Sequence, residues 1–339
     1  MLRIATTYES RLGRNDGNPL YVQACLKRMQ YYGGILLGRP PDTSMHSWFT
    51  TKDLDPRAEK AAKEFFDKWG ETIEVDHFYP TGEIAPFGTF DAWIHTDWGE
   101  DALTGVLPYK VVECPKPMIY WASDTHIQTP VADSYPYRMG MAKKADIAFV
   151  AQKRGLEQMK LDGVSNPIWL PHAVEPLAYP KTDVASKKYD VCFVGHVNNS
   201  LRENALNRLF KEFPNFYYGQ ALFEAVAEKF SESKIVFNIA MTDDINMRNF
   251  EALATGSFLL TNWIPTIEEV FEDGKHLVLY RNEEEMVEKA KYYLDHDAER
   301  EKIAQAGYEH VMANHTIQHR VSKMLDLFMA KKPVFAESK

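Results

Sequence analysis

The sequence predicts an α/β protein with two doubly wound domains, each a parallel sheet with helices on both faces. Short apolar runs of strand length alternate with longer segments of helical spacing along most of the 339 residues. This length suits about two domains of roughly 150 residues each. The alternation stops at one polar, proline-containing stretch and then starts again, which indicates a domain boundary.

The composition excludes several classes of protein. Apolar residues make up 45% of the chain and charged residues 26%, as is typical of a globular protein. The net charge of −9 gives no general attraction to nucleic acid or anionic membranes. No window approaches the roughly 18 apolar residues of a membrane span, and the start of the chain has the pattern of a strand rather than a signal peptide. The scattered cysteines, Cys25, Cys114 and Cys192, lack CxxC spacing, so we expect reduced thiols and a cytoplasmic location.

The first domain is predicted over residues 1–175. Four apolar runs indicate strands, and three segments have the apolar spacing of helices. The strands are LRIATTY (2–8), DAWIHT (91–96), PMIYWAS (117–123) and DIAFVA (146–151), and the helices are 20–32, 56–70 and 155–163. Between residues 33 and 88 the pattern predicts the helix 56–70 but does not place it relative to the sheet.

A hinge is predicted at 176–188, and the second domain at 189–315. The second domain repeats the alternation of strands and helices. Strands are predicted at 189–194, 216–219, 234–240, 258–262 and 276–280, with helices at 201–213, 221–231 and 266–272 and two more around 286–294 and 303–311. A last helix at 316–330 is expected to cross back to the first domain.

Function is expected where the strands end. In open parallel sheets, ligands bind at the carboxyl ends of the strands, close to helix N-termini. With two such domains, we expect both sheets to face one central cleft. Candidate functional residues therefore lie in the loops that follow the strands.

The segment NMRNFEALATGSFLLTN (246–262) combines a helix with a buried strand. Four polar residues fall on one stripe of the helix at 100° per residue, namely Asp244, Arg248, Glu251 and Thr255. We expect Asp244 to cap this helix and Gly256 to end it at the C′ position. The N-terminus of such a helix favours an anion such as a diphosphate. Arg248 can bind phosphate and Glu251 a vicinal diol. The alternative is an ordinary i,i+3 surface pair.

The same segment carries a family signature. The pattern N-x-R-x-x-E-x-x-A-x-G runs from Asn246 to Gly256, and HTIQHR follows at 315–320. Over roughly 189–330 the chain resembles the C-terminal domain of group 1 glycosyltransferases, closest to the branch typified by spore maturation protein CgeB. The resemblance implies a GT-B fold of two Rossmann-like domains and a retaining, metal-independent transferase. It also implies a UDP- or GDP-linked sugar as co-substrate, with no tightly bound cofactor.

The resemblance assigns roles to the residues of this helix and of the loop before it. Glu251 would bind the ribose hydroxyls, and Arg248 would approach the diphosphate. The acid that contacts the donor sugar in this superfamily lies eight positions before that glutamate, where this chain has Asp243. Asp244 is the alternative, and Asn246 belongs to the same donor-binding set.

Two other turns of the second domain follow strands. In FVGHVNNSLR (193–202), Gly195 allows the backbone to approach a ligand, and Arg202 lies early in the next helix. Such a turn lies beside the phosphates in the related family, although a simple tight connection would look the same. Tyr218 lies near the end of the next strand, where its ring can flank the base or pack in the core.

The first domain offers two groups of candidates. SRLGRNDGNP (10–19) lacks GxGxxG spacing and resembles the first-domain loop of GT-B enzymes. Its Gly13, Arg14 and Arg11 are candidate donor contacts, or solvated loop residues. In YWASDTH (120–126), His126 resembles by position the histidine that contacts the donor sugar, and Asp124 would orient it or bind the acceptor. A purely structural histidine is the alternative.

No pair or triplet of residues has the spacing of a metal site. The leading hypothesis is a nucleotide-sugar-dependent glycosyltransferase whose acceptor is a glycan, a protein, a lipid or a modified nucleobase. A sugar-nucleotide epimerase or hydrolase of the same fold is one alternative. A module that binds a sugar nucleotide or glycan without turnover is the other.

Overall fold

The computed structural model of the chain describes residues 2–8, 56–69, 73–78, 91–97, 117–122 and 134–337, apart from 177, 183, 185, 198, 199, 222, 223 and 241. These residues divide into two compact units. The first unit takes in the described residues of Met1–Phe49, Lys60–His172 and Ile317–Lys339, and the second those of Thr50–Glu59 and Ala173–Thr316. Each unit contains one parallel sheet, which confirms the predicted α/β class.

The first unit is built on a six-stranded sheet in the order β2-β1-β3-β4-β5-β6, parallel throughout. Its elements are β1 (Leu2–Tyr8), α1 (Pro56–Trp69), β2 (Ile73–Phe78), β3 (Ala92–Asp97), β4 (Met118–Ala122), α2 (Ser134–Lys144), β5 (Ile147–Val150), α3 (Lys153–Leu161) and β6 (Ile168–Trp169). Every residue of β4 and β5 is buried, as expected of strands covered on both faces.

The four strands predicted for this sheet are confirmed within two residues at each end. The sequence analysis missed β2, α2 and β6. Strand β2 is an edge strand with the sequence IEVDHF, which lacks a long apolar run. Helix α2 contains Pro136 and Gly140, which are poor helix formers.

The second unit has a five-stranded sheet in the order β11-β10-β9-β7-β8, again parallel. Its elements are β7 (Tyr189–Val194), α4 (Ser200–Glu212), β8 (Phe216–Gly219), α5 (Glu224–Ser231), β9 (Ser233–Asn238), α6 (Met247–Ala254), β10 (Leu259–Asn262), a 3₁₀ turn (Ile267–Glu269), β11 (Val278–Tyr280), α7 (Glu283–Asp295) and α8 (Asp297–Asn314). Helix α9 (Ile317–Glu337) follows and belongs to the first unit. The strands predicted here are confirmed, and so are the helices except 266–272, where the structure has only the 3₁₀ turn; α9 is longer than expected.

The core of the second unit is aromatic and aliphatic. Phe193, Phe237 and Leu260 come from three neighbouring strands and are at most 2% exposed. The ring of Phe237 stacks on that of Tyr280, with 5.6 Å between their centroids. Burial of each large apolar side chain contributes roughly 1.5–3 kcal/mol, so this core fixes the carboxyl ends of β7, β9, β10 and β11 relative to one another.

Helix α9 is anchored within the first unit by polar contacts. The guanidinium of Arg320 donates from Nε to the carbonyl of Pro171 at 2.7 Å and from Nη2 to that of His172 at 3.0 Å. Burial lowers the pKa of Arg320 to about 10. Lys68 of α1 pairs with Asp326 at 2.7 Å. In the described part of the chain, no helix is long and apolar enough to cross a membrane.

Candidate functional site

The turn after β7 places Gly195 at the carboxyl end of the second sheet. Its N–H donates to the carbonyl of Gly219, the last residue of β8, at 3.0 Å. A Cβ atom added at Gly195 would lie 3.2 Å from the ring of Phe193. The contact is tight, and a side chain here would crowd the end of the strand.

Arg202, in the first turn of α4, joins the ends of two strands. Its Nη1 donates to the carbonyl of His196 at 2.7 Å, and its Nη2 to that of Ile239 at 2.8 Å. The guanidinium also lies over the ring of Phe193, 5.4 Å from its centroid. These contacts hold a positive charge at the carboxyl ends of β7 and β9.

Helix α6 begins at Met247, so the prediction of Asp244 as its N-cap is wrong. The N-cap is Asn246, whose backbone is extended with φ −83° and ψ 166°. Ile245, only 4% exposed, packs in the core between the two polar residues, and the chain stays non-helical there. Asp244 itself is buried, with 4% of its surface exposed.

The end of α6 agrees with the sequence prediction. Gly256 has φ +70°, which favours glycine, and follows the C-cap residue Thr255. The N–H of Gly256 donates to Leu253 at 3.0 Å, and that of Ser257 donates to Ala252 at 3.3 Å. This pair of bonds is a Schellman motif, with Gly256 at C′ as expected.

Arg248 and Glu251 form an ion pair on α6. Nη1 of Arg248 lies 2.8 Å from Oε2 of Glu251, at an angle that does not make a hydrogen bond. The side chain of Glu251 is 7% exposed and that of Arg248 21%, so the pair is largely withdrawn from water. The i,i+3 ion pair, which the sequence analysis gave as the alternative to ligand binding, is therefore present, but it does not lie on an exposed surface. A desolvated ion pair contributes little net free energy to folding, because the cost of removing both charges from water offsets their attraction. Stability alone therefore does not explain this pair, and a functional role is compatible with it.

Positive charge is concentrated near this pair. The pKa of Arg202 is lowered, first by burial and then by the charge of Arg248. Tyr280, at the end of β11, interacts with the same Arg202. Its hydroxyl is buried and has no hydrogen-bond partner among the residues the structure describes. Two cations beside strand ends and a helix N-terminus suit an anionic ligand.

The remaining predicted residues of this unit occupy different environments. Asp243 is exposed, and its carbonyl accepts a hydrogen bond from the hydroxyl of Thr266 at 3.4 Å. Tyr218 is 44% exposed and stacks on Phe193 with 6.1 Å between the ring centroids. Its ring therefore keeps an accessible face. Cys192 is a free, buried thiol whose pKa is raised to about 12 by burial.

Several predicted residues lie outside the part of the chain that the structure describes. They are Gly13, Arg14, Arg11, Asp124 and His126, and their roles stay predictions. Cys25 and Cys114 also fall there. Within the described ranges, no group of three or more potential ligands could hold a metal ion.

The sequence analysis missed a buried amide network beneath the start of α6. Asn238 ends β9 and is 1% exposed, and its Nδ2 donates to the hydroxyl of Thr261 in β10 at 3.0 Å. It also reaches the side chains of Asn246 and Asn249, each at 3.3 Å. The sequence signal for this network was Asn238, a polar residue within the apolar run IVFNIA (235–240).

The second unit matches one family model, described as Glycosyl transferase-like, over residues 185–326. The match runs from the segment before β7 into α9 and includes Arg202, Arg248 and Glu251. It supports the predicted enzyme class, a glycosyltransferase. A search of curated proteins finds no match.

Solved structures extend the likeness to the whole chain. HepE from Anabaena, solved in complex with UDP and glucose, has a TM-score of 0.58 at 10% identity over 97% of this chain and 100% of that one. Sucrose-phosphate synthase from Thermosynechococcus elongatus has a TM-score of 0.58 at 12% identity, with the same coverage. TarM has a TM-score of 0.50 at 13% identity over 70% of this chain, which spans only 54% of TarM. The GT-B fold is thus confirmed, while membership of the CgeB-like branch stays a prediction.

Proposed function

We propose that this glycosyl transferase-like protein transfers a sugar from a nucleoside diphosphate donor, and that its second unit binds the nucleotide. One observation carries this proposal. Arg202 brings a positive charge to the carboxyl ends of β7 and β9, and Arg248 brings another to the first turn of α6, the helix that follows β9. A diphosphate is the group that this combination of guanidinium and helix N–H donors would bind best.

The same groups would act during catalysis. Negative charge builds up on the diphosphate as its bond to the anomeric carbon breaks. Arg248, Arg202 and the dipole of α6 would stabilise that charge more strongly in the transition state than in the ground state. We propose that this cationic set takes the part that a metal ion has in other transferases.

Glu251 is the proposed contact for the ribose. Its carboxylate offers two acceptor oxygens, which match the two hydroxyls of a vicinal diol. In the described structure the carboxylate pairs with Arg248 instead. A bound donor would present its diol to Glu251 and its phosphates to Arg248, so each member of the pair would gain a new partner.

Three further residues complete the proposal. The exposed carboxylate of Asp243 would bind the donor sugar, and His126 with Asp124 would act near the reacting carbon. We propose that the reaction retains the anomeric configuration. HepE is solved with UDP, so UDP-linked sugars are the first donors to test, followed by GDP-linked sugars. The acceptor class stays open among glycans, proteins, lipids and modified nucleobases.

The test is to incubate the protein with UDP- and GDP-linked sugars and mixed acceptors, with and without EDTA. Release of nucleoside diphosphate together with a glycosylated acceptor, unchanged by EDTA, is expected. NMR of the new glycosidic bond should show the configuration of the donor. Free or epimerised sugar would instead support a hydrolase or epimerase. Binding without turnover would support a non-catalytic module, and no binding would refute the proposal.

A matched control is present in the chain. Lys275 and Glu272 form an exposed i,i+3 ion pair at 2.7 Å, close to the 2.8 Å of the α6 pair. Removing this pair with E272A/K275A should leave donor binding unchanged. Removing the α6 pair with R248A/E251A should abolish it.

A further inference from the structure

The N-termini of α6 and α7 are built differently, although asparagine is the N-cap of both. At α7, the side chain of Asn282 accepts a hydrogen bond from the N–H of Glu285 at 2.8 Å, which is a normal cap. At α6, the side chain of Asn246 makes no such bond to the described helix. Both asparagines have an extended backbone, so Asn246 has the conformation of a cap without its hydrogen bond.

The amide of Asn246 is turned instead into the buried network. Its Oδ1 accepts from Nδ2 of Asn238 at 3.3 Å and from Nδ2 of Asn249 at 3.2 Å. Its Nδ2 donates back to Oδ1 of Asn238 at 3.3 Å. Asn238 in turn binds Thr261, so the network joins the start of α6 to β9 and β10.

This arrangement has a direct consequence for the helix N-terminus. The first N–H groups of a helix have no partner within the helix. A capping side chain would occupy one of them and reduce the positive end of the dipole. The N–H of Asn249 donates to the backbone carbonyl of Asn246 at 3.3 Å, but the network holds the Asn246 amide away and no side chain caps the helix, so its positive end is left to an incoming ligand. Arg248 lies on the same first turn and adds its charge there.

We propose that Asn246 is a positioning residue for the donor diphosphate, and this inference rests on the proposed function. Its side chain keeps the N-terminus of α6 uncapped and fixed against the sheet. It acts through the helix and does not itself contact the donor. The competing explanation is a buried amide cluster with a structural role only.

Three substitutions separate the two explanations. N246S, N246D and N246G all remove the Nδ2 group that donates to Oδ1 of Asn238, but serine and aspartate can cap the helix whereas glycine has no side chain to do so. Dissociation constants for UDP and GDP would be measured by calorimetry, and stability by thermal unfolding. We expect N246S to bind the nucleotide at least about threefold more weakly than N246G, although serine is the more stabilising cap. N246D should lose about tenfold or more, because its carboxylate also repels phosphate.

The decisive result is that N246S is more stable than N246G but binds the nucleotide more weakly. If the role of Asn246 were structural only, stability and affinity would change in the same direction. The same three substitutions at Asn282 should leave nucleotide affinity unchanged. Uridine, which lacks phosphate, should not distinguish the Asn246 variants. Equal affinity of N246S, N246D and N246G for the nucleotide would overturn the inference alone. Failure of the unaltered protein to bind UDP or GDP would overturn the proposed function and the inference together. Should N246D fail to fold, the pair N246S and N246G still gives the comparison.

Discussion

Replacement of Glu251 by alanine is the perturbation that separates its two roles. In the structure its carboxylate neutralises Arg248 across 2.8 Å, and in the proposed complex it would bind the ribose diol. E251A therefore removes an ion-pair partner from the protein and a hydrogen-bond acceptor from the donor. The two losses have different sizes and can be measured by different assays.

The loss of stability follows from the burial of the pair. Breaking a fully buried pair costs about 3–5 kcal/mol, because one charge is left without compensation. The side chain of Arg248 is 21% exposed, so water can solvate part of its charge, and we expect about 2 kcal/mol. E251Q keeps the volume and one acceptor oxygen and should lose less donor affinity than E251A.

The loss of donor affinity follows from the hydrogen bonds of a charged acceptor. Such bonds contribute about 1.5–3 kcal/mol, which corresponds to a dissociation constant about 10- to 150-fold higher. Calorimetry with UDP, well below the unfolding midpoint of E251A, would measure it. UDP that lacks both ribose hydroxyls should bind E251A and the unaltered protein equally. Equal affinity of both proteins for ordinary UDP would refute the assignment of Glu251 to the ribose.

Four other predictions concern the second unit. Tyr280→Phe should leave the unfolding temperature unchanged or raise it, because it removes a buried hydroxyl that lacks a partner in the described structure; a clear decrease would show that the hydroxyl is satisfied. Gly307→Ala should destabilise the protein by about 1–3 kcal/mol or more, since a Cβ would collide with the backbone carbonyl of His276; normal stability would contradict this packing. Cys192 should resist iodoacetamide at pH 8 in the folded protein, as burial raises its pKa from 9.0 to about 12; rapid alkylation mapped to this residue by mass spectrometry would contradict it. Burial and the nearby His310 lower the pKa of His276 from 6.5 to about 4. The unfolded chain therefore binds a proton at a higher pH than the folded protein does. The free energy of unfolding should fall as the pH decreases from about 6.5 to 4. His276→Asn should reduce this fall, measured by chemical denaturation; an unchanged pH dependence in this variant would contradict the assignment.

Much of the second unit was predictable because its signals are local. Strand β7 combines four buried residues with polar flanks, and the end of α6 is fixed by a glycine at positive φ. Such features are determined by a few neighbouring residues. The stripe of Arg248 and Glu251 likewise follows from helical periodicity alone.

The features that were missed depend on distant residues. Asp244 and Asn246 are both good N-caps by type, and the choice between them depends on the burial of Ile245 in the core. The amide network joins Asn238 to Thr261, which are 23 positions apart. Edge strand β2 depends on pairing with β1, and its own sequence has weak strand signals. The pattern of a single sequence does not show which distant residues come into contact, so these features could not be predicted from it.

The most direct test of the central claim is a crystal structure of the protein with bound UDP. We expect the diphosphate within hydrogen-bond distance of the first N–H groups of α6 and of the Arg248 guanidinium, with the ribose hydroxyls on Glu251. A nucleotide bound elsewhere, with Arg248 and Glu251 still paired to each other alone, would contradict the account.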